Sequence, residues 1–269
     1  MRKFCVIGSP VSHSLSPAIF KYLFNSFNIN ATYDSILLDT NEAFINFIKN
    51  NTDTYAGFNI TSPYKNVAFD AVDLQDQLAK ELGSVNCINV DHSQLLGYNT
   101  DHHGFKNMIS SNNIQFNNKK VVVLGYGGAA RAVIFSLLKE YNCDIYIYGR
   151  NFDKIDSLIK DINLKYEKRT IIRYNNTIIN DLILINCLPL KIDSNNLDSL
   201  LSYLPIPSID MCIDINYVQS ELSLEIKKHC EIISGIDMLI HQALKSFDIW
   251  FKCNSLEKIN YLDLKKSIL

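Results

Sequence analysis

A two-domain α/β architecture is predicted by three features of the sequence. Short β-branched runs alternate with longer amphipathic segments, as parallel strands joined by crossover helices require. The second half opens with KKVVVLGYGGAARAVIFSLLKEY, a strand, a glycine turn and a helix in direct succession. The chain has 269 residues, near the upper limit for one hydrophobic core.

The strand candidates in order are FCVIG (4–8), TYDSILL (32–38), AGFNI (56–60), VNCINV (85–90), KVVVLG (120–125), CDIYIYG (143–149), RTIIRY (169–174), DLILINC (181–187) and IDMCIDI (209–215). Helix candidates between them cover 17–27, 41–49, 102–111, 128–141, 152–162, 220–228 and 236–252. VNCINV and QLLGYN are separated only by the polar connector DHS, which suits a hairpin and predicts an antiparallel edge on the first sheet. The Asn-rich stretch NNIQFNN, before Lys119, is expected to be a loop between domains.

Hydrophobic residues make up 47% and charged residues 20%, the balance of a globular chain rather than a disordered one. A formal net charge of −2 with no basic patch gives no attraction to nucleic acid. The apolar run in MRKFCVIGSP is broken by Gly8 and Pro10 before signal-peptide length, and no uncharged stretch approaches a membrane span. The seven cysteines are scattered and form no CxxC, which predicts reduced thiols and a cytoplasmic protein. His102 and His103 are adjacent in a helix candidate and so diverge; no metal site is expected. Phe247, Trp250 and Phe251 are best explained as a packed helix face.

The turn at 125–130 fits the GxGxxG/A pattern through Gly125, Gly127 and Ala130, with Gly128 and Ala129 between: a tight turn, close approach of backbone to a pyrophosphate, and close packing of helix on strand. Free N–H groups at the helix start would face the phosphates of a dinucleotide. This predicts a Rossmann domain. The next strand ends in YGRNFDK, where Arg150 stands in place of the acid that would bind the ribose hydroxyls of NAD. Arg150 and Lys154, a helical turn apart, can both address a 2′-phosphate, so NADP is the expected cofactor. A solvated helix start is the bland alternative.

Two earlier segments, GSPVSHSLSP (8–17) and NITSPYK (59–65), are rich in short hydroxyl and amide side chains. Taken alone, such residues more often cap helices than bind ligands; Ser14 and Ser16 could cap the helix at Pro17, and Asp101 the one near His102.

Five motifs in order, GSPVSHSLSP, NITSPYK, GSVNCINV with GYNTDHHG, GYGGAAR followed by GRNFDK, and GIDMLIHQALKSFDIW, give a sequence that resembles the shikimate dehydrogenases over almost its whole length. The resemblance implies reversible NADPH-dependent reduction of the small molecule 3-dehydroshikimate to shikimate, in chorismate and aromatic amino acid biosynthesis. It implies Lys65 and Asp101 as the catalytic pair, and substrate contacts from Ser14, Ser16, Thr61, Asn86, Tyr217 and Gln242. On the cofactor side it adds Asn151, Cys187 and Gly235 to the glycine turn, Arg150 and Lys154. A ketone reduction needs a hydride on carbon and a proton on oxygen; a lysine ammonium can steady the developing oxyanion and donate that proton.

The implied domains are 1–102 with 237–269 for substrate and 103–236 for NADP, with a cleft between them and hinges near 102 and 236, in a monomer or homodimer. The sequence departs from the family pattern at Phe20 and Lys21, at NCLPLK (186–191), at Gly149 and Asn151, and after the DxxY segment, where the family's proline and threonine are absent and Gln219 and Ser220 stand in the region. A quinate/shikimate dehydrogenase using NAD and a catalytically weak NADP-binding regulator are the alternatives these departures leave open.

Overall fold

The computed structural model describes residues 1–166, 171–175, 180–190 and 194–269, which form two compact units. One comprises Met1–Gly104 and Leu239–Leu269, the other Phe105–Met238. Part of the strand candidate 169–174 and Lys191 of NCLPLK lie outside the described residues.

The first unit is built on β1 (Arg2–Gly8), β2 (Ala31–Leu37), β3 (Gly57–Ile60), β4 (Leu74–Gln75), β5 (Cys87–Asp91) and β6 (Gln94–Tyr98), in spatial order β2-β1-β3-β5-β6-β4. β1 pairs in parallel with β2 and β3, whereas β5 runs antiparallel to both β3 and β6. The β5–β6 connection is a true hairpin, with His92 and Ser93 both at positive φ, as a two-residue turn matching strand twist requires. The antiparallel edge expected from that hairpin is corrected in one respect. The two-residue β4 pairs parallel to β6 and forms the edge itself.

Helices α1 (Ser16–Ser26), α2 (Asn41–Asn50), α3 (Lys65–Ala71) and α4 (Gln77–Leu82) belong to this unit. Thr40 and Asp76 cap α2 and α4 through their side-chain oxygens, and Gly83 ends α4 in the left-handed region.

The second unit is an all-parallel sheet of β7 (Lys120–Leu124), β8 (Asp144–Tyr148), β9 (Ile171–Arg173), β10 (Leu182–Asn186), β11 (Ile209–Asp214) and β12 (Glu231–Ser234), ordered β12-β11-β10-β7-β8-β9. This is the doubly wound Rossmann order, with its switch point between β7 and β10. Its central strands β7 and β10 are runs of Val, Ile and Leu, as a sheet covered on both faces demands. α5 (Asp101–Ser111) leads into it, followed by α6 (Gly128–Glu140), α7 (Phe152–Lys165), α8 (Ser194–Tyr203) and α9 (Glu221–Ile226).

The expected interdomain loop at NNIQFNN is overturned. Ile114 and Phe116 are buried in the second unit's core with Phe105 and Met108, so the stretch belongs to that unit, and the division falls inside α5.

α10 (Ile236–Phe251) and α11 (Tyr261–Ile268) follow β12, and from Leu239 onward the chain is part of the first unit. Trp250 stacks on Phe4 at 4.5 Å between ring centroids and donates from Nε1 to the Ile88 carbonyl at 2.9 Å. Phe247 and Phe251 pack on Phe24, completing the apolar face expected of this helix. Phe20 stacks on Tyr33 at 4.3 Å, so this departure from the family pattern is a well-packed aromatic.

Candidate active site and cofactor turn

Strand direction gathers the first unit's polar residues at one edge of its sheet. β1 and β3 end there, at Gly8 and Ile60, and release the GSPVSHSLSP and NITSPYK loops side by side. Ser9 N–H donates to the Ser62 carbonyl at 3.0 Å, and Thr61 N–H to that of Ile7 at 2.9 Å. β6 ends at the same edge and leads into Asn99, Thr100 and Asp101, while the antiparallel β5 starts there, just after Asn86.

The result is a polar cluster centred on Asp101, itself buried. Lys65 Nζ lies 2.6 Å from Asp101 Oδ2, and Asn86 Nδ2 donates to Asp101 Oδ1 at 2.8 Å. Lys65 opens α3 with its side chain 16% exposed, so the pair keeps a face to solvent. Asn86 Oδ1 accepts from Thr100 N–H at 2.7 Å, and Thr100 Oγ1 lies 3.3 Å from Gln242 Oε1. Asp101 is the first residue of α5 rather than its cap. Its N–H donates to Asn99 Oδ1 at 3.0 Å, leaving the carboxylate for Lys65 and Asn86.

Leu15 stands at the N-cap of α1 with no side-chain bond of its own, and Ser14 Oγ accepts from Ser16 N–H, the first amide of the helix, at 3.3 Å. Lys65, Asp101, Asn86 and Gln242 are thus joined in one network, and Ser14, Ser16 and Thr61 lie on the two loops described above. Tyr217 follows β11 in the second unit.

Residues that sequence reasoning missed extend the cluster. Tyr33 OH donates to Asn59 Oδ1 at 2.8 Å, and Asn59 Nδ2 donates to Ser246 Oγ at 2.9 Å. Burial pushes the Tyr33 phenol well above its ordinary pKa, with the Cys5 thiol adding to the rise, so it stays a donor. Thr100, beside Asp101 in YNTD, was the signal within reach; Tyr33 and Ser246 come from distant segments that no spacing connects.

In the second unit, β7 is followed by Gly125 with φ +110°, a backbone conformation that favours glycine. A Cβ there would approach the Cys187 carbonyl at 3.2 Å, so the turn lies directly against the loop after β10. A Cβ at Gly127 would meet nothing within 4 Å. Gly127 begins α6 without a side-chain cap, leaving open space at the first amides of the helix. Ala130 is buried in the core between helix and sheet. These features fit a dinucleotide pyrophosphate.

Arg150 and Lys154 are exposed beyond β8. Asn151 Oδ1 caps α7 by accepting from Lys154 N–H at 2.9 Å, so its side chain already has a structural partner. Gly235 is obligatory for packing, because a Cβ would fall on the Ile215 carbonyl. Burial, then the nearby Asp214 carboxylate, raises the Cys187 thiol pKa and keeps it neutral. Among the described residues no cluster of three or more His, Cys, Asp or Glu side chains is arranged to hold a metal, and no helix is long and apolar enough to cross a membrane.

A Rossmann unit in one chain with a second α/β unit carrying a lysine–aspartate pair defines a two-domain nucleotide-dependent oxidoreductase. Residues 6–88 match the model of the shikimate dehydrogenase substrate binding domain. A shikimate dehydrogenase (NADP(+)) of Clostridium beijerinckii is 34% identical over 261 residues, covering 94% of this chain and 93% of its own. One of Methanococcus maripaludis is 32% identical over 254 residues, covering 91% and 90%. A crystal structure of shikimate dehydrogenase in complex with NADP+ superimposes with a TM-score of 0.84 at 26% identity, over 100% of this chain and 94% of that one. The chain belongs to the shikimate dehydrogenase family.

Proposed function

We propose that this chain catalyses the reversible reduction of 3-dehydroshikimate to shikimate with NADPH, with Lys65 and Asp101 as its catalytic pair. The observation that carries the reading is the Lys65–Asp101 contact of 2.6 Å at the edge where the serine and threonine loops converge. Bound NADPH supplies the hydride to the carbonyl carbon. Lys65 Nζ donates the proton to the carbonyl oxygen and, in the reverse direction, takes it from the alcohol. Asp101 holds the ammonium in place and has a carboxylate oxygen at hand for a neighbouring substrate hydroxyl, while Asn86 fixes its other oxygen.

Ser14, Ser16, Thr61, Tyr217 and Gln242 are assigned to the substrate. The Ser14 and Ser16 hydroxyls suit its carboxylate. Gly125, Gly127, Gly128, Ala129 and Ala130 cradle the pyrophosphate, and Arg150 with Lys154 neutralises the 2′-phosphate. Asn151, Cys187 and Gly235 shape the loops around the cofactor. None of the seven cysteines is joined in a disulfide, which suits the cytoplasm.

Following NADPH formation by its absorbance with shikimate and NADP+ tests the reading directly. Turnover by the wild-type chain, lost in Lys65→Met at normal NADP+ affinity, is the expected result. A folded wild-type chain that binds NADP+ but leaves shikimate unchanged would overturn it.

A further inference from the structure

The second unit holds a buried carboxylate that the proposed chemistry does not use. Asp214, at the end of β11, is 2% exposed and receives four neutral donors. Oδ1 accepts from Asn216 N–H at 3.0 Å and from Asn216 Nδ2 at 2.9 Å. Oδ2 accepts from Ser220 Oγ at 2.9 Å and from Ser223 Oγ in a shorter bond. A buried carboxylate without such donors would be strongly destabilising, so the bonds fix the geometry of the whole 214–223 turn.

The same network reaches the neighbouring loop. Asn216 Nδ2 also donates to the Leu188 carbonyl at 3.0 Å, Asn186 Oδ1 accepts from Leu188 N–H at 3.1 Å, and Ile215 N–H donates to the Asn186 carbonyl at 3.1 Å. The loop after β10 is therefore held from one side by Asn216 and on the other abuts the glycine turn, where Gly125 faces the Cys187 carbonyl. It borders the switch point, the place where open parallel sheets bind dinucleotides.

We infer that Asp214 is a positioning residue which, through Asn216, holds the 187–188 backbone and the Tyr217-bearing turn in the register that places the reacting ring of the dinucleotide. The inference rests on the NADP reading above. It adds a division of labour: the Arg150 end sets affinity, and the Asp214–Asn216 bracket sets ring placement. Ser220 supplies one of the hydroxyls that the bracket requires.

The test compares wild type with Asn216→Ala, Asp214→Asn and Asp214→Ala, each checked for folded fraction by circular dichroism. Adenosine 2′,5′-bisphosphate binding reads the adenosine end, and the fluorescence of bound NADPH reads the reduced pyridine. Asn216 is only partly buried, so Asn216→Ala tests the bracket even where an Asp214 variant fails to fold. Asn216→Ala is expected to bind the bisphosphate within about twofold of wild type, to lose most of the NADPH fluorescence enhancement, and to turn over shikimate ~10–100-fold more slowly, since small misplacements of reacting groups have effects of this size.

Asp214→Asn retains one acceptor oxygen and falls between wild type and Asp214→Ala. Asn216→Ala matching wild type in fluorescence and turnover would overturn the inference, as would losses that merely track unfolded protein. A wild-type chain that enhances NADPH fluorescence yet ignores shikimate would refute the substrate reading alone, and the fluorescence comparison would still decide this one.

Discussion

The Asp101 carboxylate is shared between two side chains from different elements: Oδ2 contacts Lys65 Nζ at the start of α3, and Oδ1 accepts from Asn86 beside β5. Each oxygen is held, so the lysine has one preferred position. Lys65→Ala is expected to lower kcat by ~100 to 10,000-fold, the usual range for loss of a general acid, with a smaller change in the KM for shikimate. Asp101→Asn should lower kcat while leaving NADP+ affinity intact. Steady-state kinetics check both, and a Lys65→Ala enzyme with near-normal kcat would remove the lysine from the chemistry.

Arg150 is the exposed cation that follows Gly149 at the end of β8. Removing it should weaken binding of NADP+ by ~10-fold or more and leave NAD+ nearly untouched, since a charge-assisted pair to phosphate is worth about 1.5–3 kcal/mol. The measurement is kcat/KM for both dinucleotides before and after Arg150→Ala. An unchanged preference would relocate the 2′-phosphate.

Gly57 lies under the indole of Trp250, and a Cβ there would collide with Nε1 and come within 3.0 Å of the Ile88 carbonyl. The indole cannot retreat without losing its bond to Ile88 and its stack on Phe4. Gly57→Ala should destabilise the first unit by about 1–3 kcal/mol, as overpacking typically does. Adding Trp250→Phe should return part of the loss. Urea unfolding followed by circular dichroism is the assay, and an unshifted midpoint in Gly57→Ala would contradict the packing.

Buried acids of high pKa should make the protein sensitive to alkali. Burial raises the Cys87 thiol to about 12 and, with Asp248 beside it, the Cys253 thiol to about 11; burial and Tyr203 raise the Tyr174 phenol to about 12. An unfolded thiol ionises near ~8.5 and a phenol near ~10, so the folded state keeps protons that the unfolded chain has lost. Their contribution is complete below the unfolded values and disappears as pH rises through about 11 to 12. Urea midpoints should hold from pH ~7 to ~8 and decline above ~9; a profile flat to pH ~10.5 would contradict this.

Much of this architecture was legible because the signals are local. β7 and β10 announce themselves as Val, Ile and Leu runs, and the glycine turn follows from three glycines within the four residues 125–128. β4 escaped notice because it has two residues, and β12 because EIIS shows too few positions for periodicity. α4, α8 and α11 were also absent from the sequence reading; α4 is only six residues long. NNIQFNN was misjudged because its asparagines outweighed Ile114 and Phe116, the two residues the core takes. Lys65 and Asp101 were reachable only through the order of the family motifs. The Tyr33–Asn59–Ser246 link joins positions 187 residues apart at its widest hydrogen bond, and only folding reveals it.

Residues from Leu239 onward belong to the same unit as the first 104. During synthesis, then, the N-terminal strands emerge long before the helix that brings Trp250 against Phe4 and Gln242 toward Thr100. The first unit has all its strands by Tyr98, yet it is the nucleotide-type unit, complete at Met238, that is whole first, because the unit whose synthesis begins first still lacks the helix that starts to join it at Leu239.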